Sequence, residues 1–176
     1  MKPFIGLKRL WYGDVFTSEA TVATVKTWLQ TAKEVKNVHQ NTWGYSQDDP
    51  NVTDYINELT GKPYARDAVD AGKKTITFTL GEYSLDDRVA LQGGSVKSGI
   101  WQAPKTPELI YKGILALTKT GNYILFPYAS ITVKADTQEK NIGLGVQAVA
   151  MDNTEVPALA EEYWIDGETA QVELVG

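Results

Sequence analysis

Residues 75–80 alternate strictly between threonine and large apolar side chains, in the order Thr-Ile-Thr-Phe-Thr-Leu. This alternation predicts a strand with one apolar and one polar face, because successive side chains of a strand point to opposite sides of the sheet. Ser84 and Asp87 follow with the spacing of a capping box, which predicts that a helix begins at once. Leu85 and Leu91 supply apolar positions for that helix. A half-buried strand that leads into one short helix favours an antiparallel sheet with helices packed on it.

Further strands are predicted along the rest of the chain. The clearest is a hairpin in which residues 110–117 and 123–128 flank a turn at 119–122, whose sequence is Lys-Thr-Gly-Asn. Other β-like segments are 35–46, 131–133, 142–148, 163–165 and 170–175. Segments 94–107 and 136–141 are polar or rich in Gly and Pro, so we interpret them as a linker and a loop.

One longer helix is predicted near the amino terminus. Thr17-Ser18-Glu19 offers an N-cap with an acid in the first turn, and Val22 and Ala32 lie at the two ends of an apolar stripe with helical spacing. The stripe predicts about four turns with Trp28 at the edge of the buried face. No alternation of strands and helices is present, so we predict a mainly β fold. It is an antiparallel β-sandwich or barrel of about eight strands, with one longer and one short α-helix, in a single domain over residues 1–176.

The composition excludes several classes. The chain has no cysteine and therefore neither a disulfide framework nor a thiolate metal site. No apolar run approaches the ~20 residues that span a bilayer. Residues 1–9 lack the apolar core of a secretory signal, so we expect synthesis in the cytoplasm and no membrane partner.

The charge is unevenly distributed. All 17 basic side chains lie within residues 1–150, whereas residues 151–176 carry seven acidic side chains and no Lys or Arg. This acidic C-terminal segment fits either a solvated terminal hairpin or a negative surface that pairs with a neighbouring copy. Both interpretations disfavour binding to a phosphate backbone, which needs clustered cations.

Residues 47–70 form a long polar excursion, interpreted as a protruding loop or hairpin. It contains apolar groups that a free loop would leave in water. We therefore predict an assembly loop that becomes ordered on contact with a neighbour. The residues assigned to it are Asp48, Asp49, Pro50, Tyr55, Ile56, Leu59 and Tyr64.

We find no specific catalytic or metal-binding motif. His39 is the only histidine and lies in a predicted strand with no nucleophile or second ligand nearby. Asp86-Asp87 is explained by helix capping, and Asp48-Asp49 by loop charge, with an oxygen-only cation site as the alternative. The five tryptophans are spread along the chain, which favours packing in the core or in interfaces over a sugar-stacking platform. We predict no enzyme activity and no cofactor.

Several segments together resemble the major tail (tail-tube) proteins of long-tailed phages and prophages. Among them are Gly-Asn-Tyr-Ile-Leu-Phe-Pro-Tyr-Ala at 121–129 and Asn-Ile-Gly-Leu-Gly-Val-Gln-Ala at 141–148. The others are 17–19, 34–40, 49–55, 59–64, 75–80 and 91–94. The acidic C-terminal segment lies outside the resemblance.

The resemblance implies a structural protein of the virion tail, related to contractile-tail and type VI secretion tube proteins. In such proteins six copies form a ring, rings stack into a tube, and the genome passes through without specific binding. Other tail proteins are further partners. Inner strands of neighbouring copies join into one wall, so we expect open sheet margins and a mobile polar arm that identical copies complete.

Two functions from other classes remain open at this point. A monomeric carbohydrate- or ligand-binding β-sandwich would need several tryptophans on one exposed face beside a concave site. A small hydrolase would need carboxylates brought together from distant segments.

Overall fold

A computed structural model describes residues 1–170. Within them the chain forms two helices and twelve strands, and all strand pairs are antiparallel. The helices are α1 (Val22–Leu29) and α2 (Leu85–Gln92). The strands are β1 (Arg9–Gly13), β2 (Lys33–Glu34), β3 (Gly44–Gln47), β4 (Asn51–Asn57), β5 (Lys62–Asp70), β6 (Lys74–Leu80), β7 (Ser95–Lys97), β8 (Ile100–Gln102), β9 (Ile110–Leu117), β10 (Tyr123–Gln138), β11 (Asn141–Ala150) and β12 (Tyr163–Ile165). The predicted mainly β, antiparallel fold with flanking helices is confirmed.

Eight of these strands form one sheet. Their order is β2-β1-β9-β10-β11-β6-β3, and β12 pairs with the first residues of β10. The remaining four strands form two separate hairpins, β4–β5 and β7–β8. A register shift between Phe126 and Ala129 divides β10 into two parts, so that its start pairs with β12 and its end with β11.

A segment between β2 and β3 joins the two margins of this sheet. The Val35 amide donates to the Leu10 carbonyl oxygen of β1 at 2.8 Å. Four residues later the His39 amide donates to the Thr79 carbonyl oxygen of β6, also at 2.8 Å. The sheet is therefore closed in the manner of a barrel, and the expectation of open margins is wrong for β1 and β6.

The core lies on both faces of β9 and β10. Ile114 and Phe126 belong to a cluster on one face, and Leu115 and Leu125 belong to a second cluster on the other. Two covered faces explain the continuous apolar runs of these strands. The predicted apolar face of β6 is confirmed, since Ile76, Phe78 and Leu80 are at most 2% exposed. The expectation of a half-buried strand is wrong, because Thr75 and Thr79 on the other face are buried as well.

The two helices cover opposite faces. α2 places the buried Leu91 in the first cluster, and its capping box of Ser84 and Asp87 forms as predicted. α1 packs on the second cluster through Val25 and Trp28. The prediction of one longer helix is wrong, because α1 and α2 each contain eight residues.

The predicted start of α1 is also wrong. The N-cap is Thr21, whose hydroxyl accepts from the Thr24 amide while the Thr24 hydroxyl accepts from the Thr21 amide. The segment 17–20 before it is not helical, and ahead of that segment the Phe16 amide donates to the Pro127 carbonyl oxygen at 3.0 Å. Trp28 is 8% exposed and central to the buried face, not at its edge.

Other predicted bounds change as well. Residues 35–43, which connect β2 to β3 and join the two margins of the sheet, are here called the closing segment. The predicted strand 35–46 is therefore a strand only from Gly44 onwards. The predicted linker 94–107 contains the β7–β8 hairpin. The predicted loop 136–141 is strand apart from the two-residue turn Glu139–Lys140. β12 is confirmed, while Ala170 lies in a turn and the rest of the predicted strand 170–175 lies outside the described residues.

Candidate assembly surface

The long polar excursion is a two-stranded hairpin, which we call the arm (residues 48–73). β4 and β5 pair with each other, and within residues 1–170 neither pairs with any other strand. Its turn is built locally, because the Leu59 amide donates to Asn57 Oδ1 at 2.9 Å and the Gly61 amide donates to the Asn57 carbonyl oxygen at 2.7 Å. Of the two predicted forms, the structure therefore shows the hairpin.

The arm exposes an unusual amount of apolar surface. Every residue of β4 and β5 is exposed except Asn57, which is half-buried. Leu59 at the turn is 94% exposed and Tyr64 is 71% exposed. The large apolar side chains exposed on the arm are Val52, Tyr55, Ile56, Leu59, Tyr64 and Val69. Concentrated apolar exposure of this kind marks an interaction surface, whereas scattered single side chains do not.

The base of the arm is held to the sheet. The Asp48 amide donates to the Lys73 carbonyl oxygen at 2.8 Å and continues the β3–β6 ladder beyond Lys74. Gly72 has a φ of +82°, and a Cβ at this position would lie 2.1 Å from the Asp48 carbonyl oxygen. Only glycine fits this close approach, so the backbone direction at the base is defined.

Carboxylates of the C-terminal segment anchor the same region. The Lys74 ammonium lies 3.2 Å from a Glu161 carboxylate oxygen and 3.7 Å from a Glu162 oxygen. The Tyr45 hydroxyl donates to Glu162 at 2.9 Å, and burial together with this hydrogen bond raises the pKa of Tyr45. Farther along, Glu168 pairs with Lys2. Part of the acidity therefore neutralises lysines of the same chain, a pairing that neither sequence interpretation included.

The predicted assembly residues are brought together only in part. Tyr55, Ile56, Leu59 and Tyr64 lie on β4, the turn and β5 of the arm. Asp48, Asp49 and Pro50 lie at its base, ahead of β4, and are exposed. Val52 and Val69 complete the apolar set but were not assigned to it. The hairpin pairing of β4 with β5 identifies them.

In the acidic pair Asp86-Asp87, the second carboxylate has a structural role. Asp87 accepts hydrogen bonds from the Ser84 amide and hydroxyl, from the Tyr12 hydroxyl and from the Lys33 ammonium. Burial alone would raise the pKa of Asp87, but these donors outweigh it and lower the pKa to about 2. Burial, together with the hydrogen bond to Asp87, raises the pKa of Tyr12. The cleft around them, about 210 Å³ in volume, thus contains a carboxylate that is a poor proton acceptor at neutral pH.

Replacing this carboxylate should produce a pH-dependent loss of stability. In the unfolded chain an aspartate has a pKa of about 3.9, so the depressed native pKa stabilises the fold above about pH 4. We expect Asp87→Asn to lower the free energy of unfolding by about 2 kcal/mol at pH 7, as measured by urea denaturation. The difference from wild type should shrink as the pH falls from 4 to 2.

The neighbouring carboxylate is the matched control. Asp86 is exposed, and we expect Asp86→Asn to change the free energy of unfolding by about 0.5 kcal/mol at most. Equal losses for the two variants, or a loss for Asp87→Asn that persists at pH 2, would contradict the assignment.

The other candidate residues remain separate. His39 lies in the closing segment instead of a strand, and its Nε2 is 3.9 Å from a Glu139 carboxylate oxygen. Within residues 1–170, no group of three or more His, Asp or Glu side chains is placed to hold a metal ion. No helix in this part of the chain is long and apolar enough to cross a membrane.

The tryptophans do not share one face. Trp11 and Trp28 are buried in the second cluster. The guanidinium carbon of Arg88 lies 3.7 Å from the ring centroid of Trp101. Trp164 contacts Phe4 and Tyr45 edge to face. No ring contact among the described residues joins two tryptophans.

Comparison with known proteins does not place this chain in a family. No protein-family model matches the sequence, and a search of curated proteins finds no significant match.

Proposed function

We propose that this chain is a structural protein that acts by assembling with copies of itself, as a tail-tube protein does. The observation that supports this proposal best is the arm, a hairpin that pairs with no other strand within residues 1–170 and exposes six large apolar side chains. Covering an exposed Tyr, Ile or Leu side chain contributes on the order of 1–2 kcal/mol. A second chain that covers several of them therefore gains enough free energy to stabilise an ordered contact.

The closed sheet limits how copies can join, because β1 and β6 offer no open margin that a neighbouring copy could complete. A compact barrel with both faces of its central strands buried is a stable unit that can be repeated without rearrangement. The apolar surface that remains lies largely outside the barrel, on projecting segments. Such segments can link copies while each barrel keeps its own core.

In the proposed function, hexameric rings stack into a tube in the virion tail. The protein is made in the host cytoplasm, the genome passes through the tube without specific binding, and other tail proteins contact the assembly. It needs no cofactor, catalyses no reaction and does not enter a membrane. The resemblance of segments 121–129 and 141–148 to tail-tube proteins supports this more specific form.

The test is the mass and shape of the purified full-length protein. We expect size-exclusion chromatography with light scattering to give particles of many copies, and negative-stain microscopy to show rings or tubes. A chain that stays monomeric at every concentration tested would contradict the proposal. A monomer that also binds oligosaccharides would instead support the ligand-binding module, although the separated tryptophans favour that function less.

A further inference from the structure

One strand of the barrel has a free edge beside an apolar groove. β9 begins at Ile110, which pairs with Ile131, whereas β10 continues to Gln138. Beyond Ile131 the side of β10 that β9 would occupy is paired with no other strand among residues 1–170. A free edge of this kind is a template for an additional strand.

The turn at the end of β10 shows which backbone groups are free. Glu139 and Lys140 both have positive φ, 46° and 72°, as in a two-residue hairpin turn. The flanking residues of such a turn exchange hydrogen bonds, and the bonding direction then alternates along the strand. The amide and carbonyl groups of Val133, Ala135 and Thr137 therefore point away from β11. In agreement, the Thr137 amide donates to Asp136 Oδ1 at 2.8 Å instead of to β11. The amides offered to an incoming strand are therefore those of Val133 and Ala135.

Apolar side chains surround this edge. A groove of about 490 Å³ lies between β10 and the α2–β8 region, with Ile131 and Val133 on one side and Trp101 on the other. Leu109, just before β9, is 81% exposed, and Ile142, opposite Thr137, is 60% exposed. Together with the arm, the segments around this groove carry most of the exposed large apolar side chains of the described chain.

The arm and the groove also have opposite charges. The arm contains six acidic and three basic side chains, whereas segments 88–110 and 131–137, which flank the groove and include the free edge, contain four basic and two acidic. The arm leaves the sheet beyond Lys74 at one end of β6, and β10 projects from the sheet beyond Leu80 at the other end. The arm of one copy can thus reach the groove of the next in a head-to-tail contact.

We infer that the arm of one copy docks as an additional strand along the β10 edge of the next copy, between Val133 and Thr137. The inference rests on the proposed function and names the surface that receives the arm. A head-to-tail contact of this kind joins two different surfaces, so it repeats without limit unless a ring closes it. Backbone hydrogen bonds supply affinity in such strand addition, and the flanking apolar pockets supply specificity.

Proline at Ala135 tests the edge with little effect on the fold. The Ala135 amide points away from β11, so Ala135→Pro removes no hydrogen bond within the chain but blocks an incoming strand. We expect the variant to need about ten-fold more protein to assemble, with an unchanged thermal unfolding profile. Ala135→Thr keeps the amide and is the matched control, which we expect to assemble like wild type.

A cysteine pair tests the contact directly, because the chain contains no cysteine. Ile56→Cys protein and Ala135→Cys protein are oxidised separately and as a mixture, and non-reducing electrophoresis measures the yield of disulfide-linked dimer. We expect the mixture to give several-fold more dimer than either variant alone, and this excess is heterodimer. A mixture of Ile56→Cys with the control Glu155→Cys should give no such excess. Assembly of Ala135→Pro like wild type, together with no heterodimer, would overturn the docking site while leaving self-assembly intact. A wild-type chain that neither assembles nor cross-links would contradict both proposals.

Discussion

Replacing residues 49–72 with Asn-Gly is expected to abolish self-assembly while leaving a folded barrel. The Asp48 amide already donates to the Lys73 carbonyl oxygen at the base of the arm. A two-residue turn can therefore join these two residues without strain. The removed residues bury little surface, and the free energy of unfolding should change by about 1 kcal/mol or less. Light scattering and negative-stain microscopy measure the assembly, and circular dichroism measures the fold.

A point variant in the arm separates apolar contact from the mere presence of the hairpin. Ile56→Ser removes one of the exposed apolar side chains and should weaken assembly. Thr60→Ser changes a turn residue that contributes no large apolar side chain and leaves the charge of the arm unchanged, so we expect it to assemble like wild type. Rings or tubes formed by the chain without residues 49–72 would refute the role of the arm.

The largest expected effect on stability comes from Trp28→Ala. The indole is 8% exposed, stacks on Phe16 with ring centroids 5.3 Å apart, and donates to the Asp14 carbonyl oxygen at 2.6 Å. It lies against Gly13 and Gly113, where an added Cβ would come within about 3.1 Å of the ring. We expect the free energy of unfolding to fall by about 3–5 kcal/mol and Tm to fall by roughly 10 °C. The cavity left by the indole stays open because the neighbouring glycines have no side chains that could fill it.

Trp164→Ala is the matched control for this effect. Trp164 is 47% exposed, so its removal should cost much less of the free energy of unfolding. Thermal and urea unfolding of the two variants measure the difference. Similar losses would show that α1 is not held mainly by Trp28.

Local patterns predicted β6 and α2 because everything needed to recognise them lies within 18 residues. The apolar residues among 75–80 matched the buried face of β6, although its threonines are not exposed, and Ser84 with Asp87 marked the first turn of α2. The hairpin at 119–122 was recognisable for the same reason. By contrast, the predicted N-cap at Thr17-Ser18-Glu19 is wrong. Phe16 stacks on Trp28 and its amide donates to Pro127, and no short pattern contains these contacts.

The arm could be predicted from the sequence more readily than the β10 edge that is proposed to receive it. Polar composition interrupted by Tyr55, Ile56 and Leu59 was enough to predict a projecting segment, although its hairpin form depended on pairing with β5. The β10 edge was missed because the polar end of β10 was interpreted as the loop 136–141. The pairing of β9 with β10 ends at Ile110 and Ile131, and only the register of the two strands shows this.

Sequence alone determined the β-rich class, the capping of α2 and the exposed apolar arm, since each depends on side chains that are close along the chain. Tertiary structure alone decided the closing of the sheet by residues 33–39, the pairing of Asp87 with Tyr12 and Lys33, and the free edge of β10. These features join residues that are far apart in sequence. Their partners are selected by packing and by the satisfaction of backbone hydrogen bonds over the whole barrel, which local spacing does not encode.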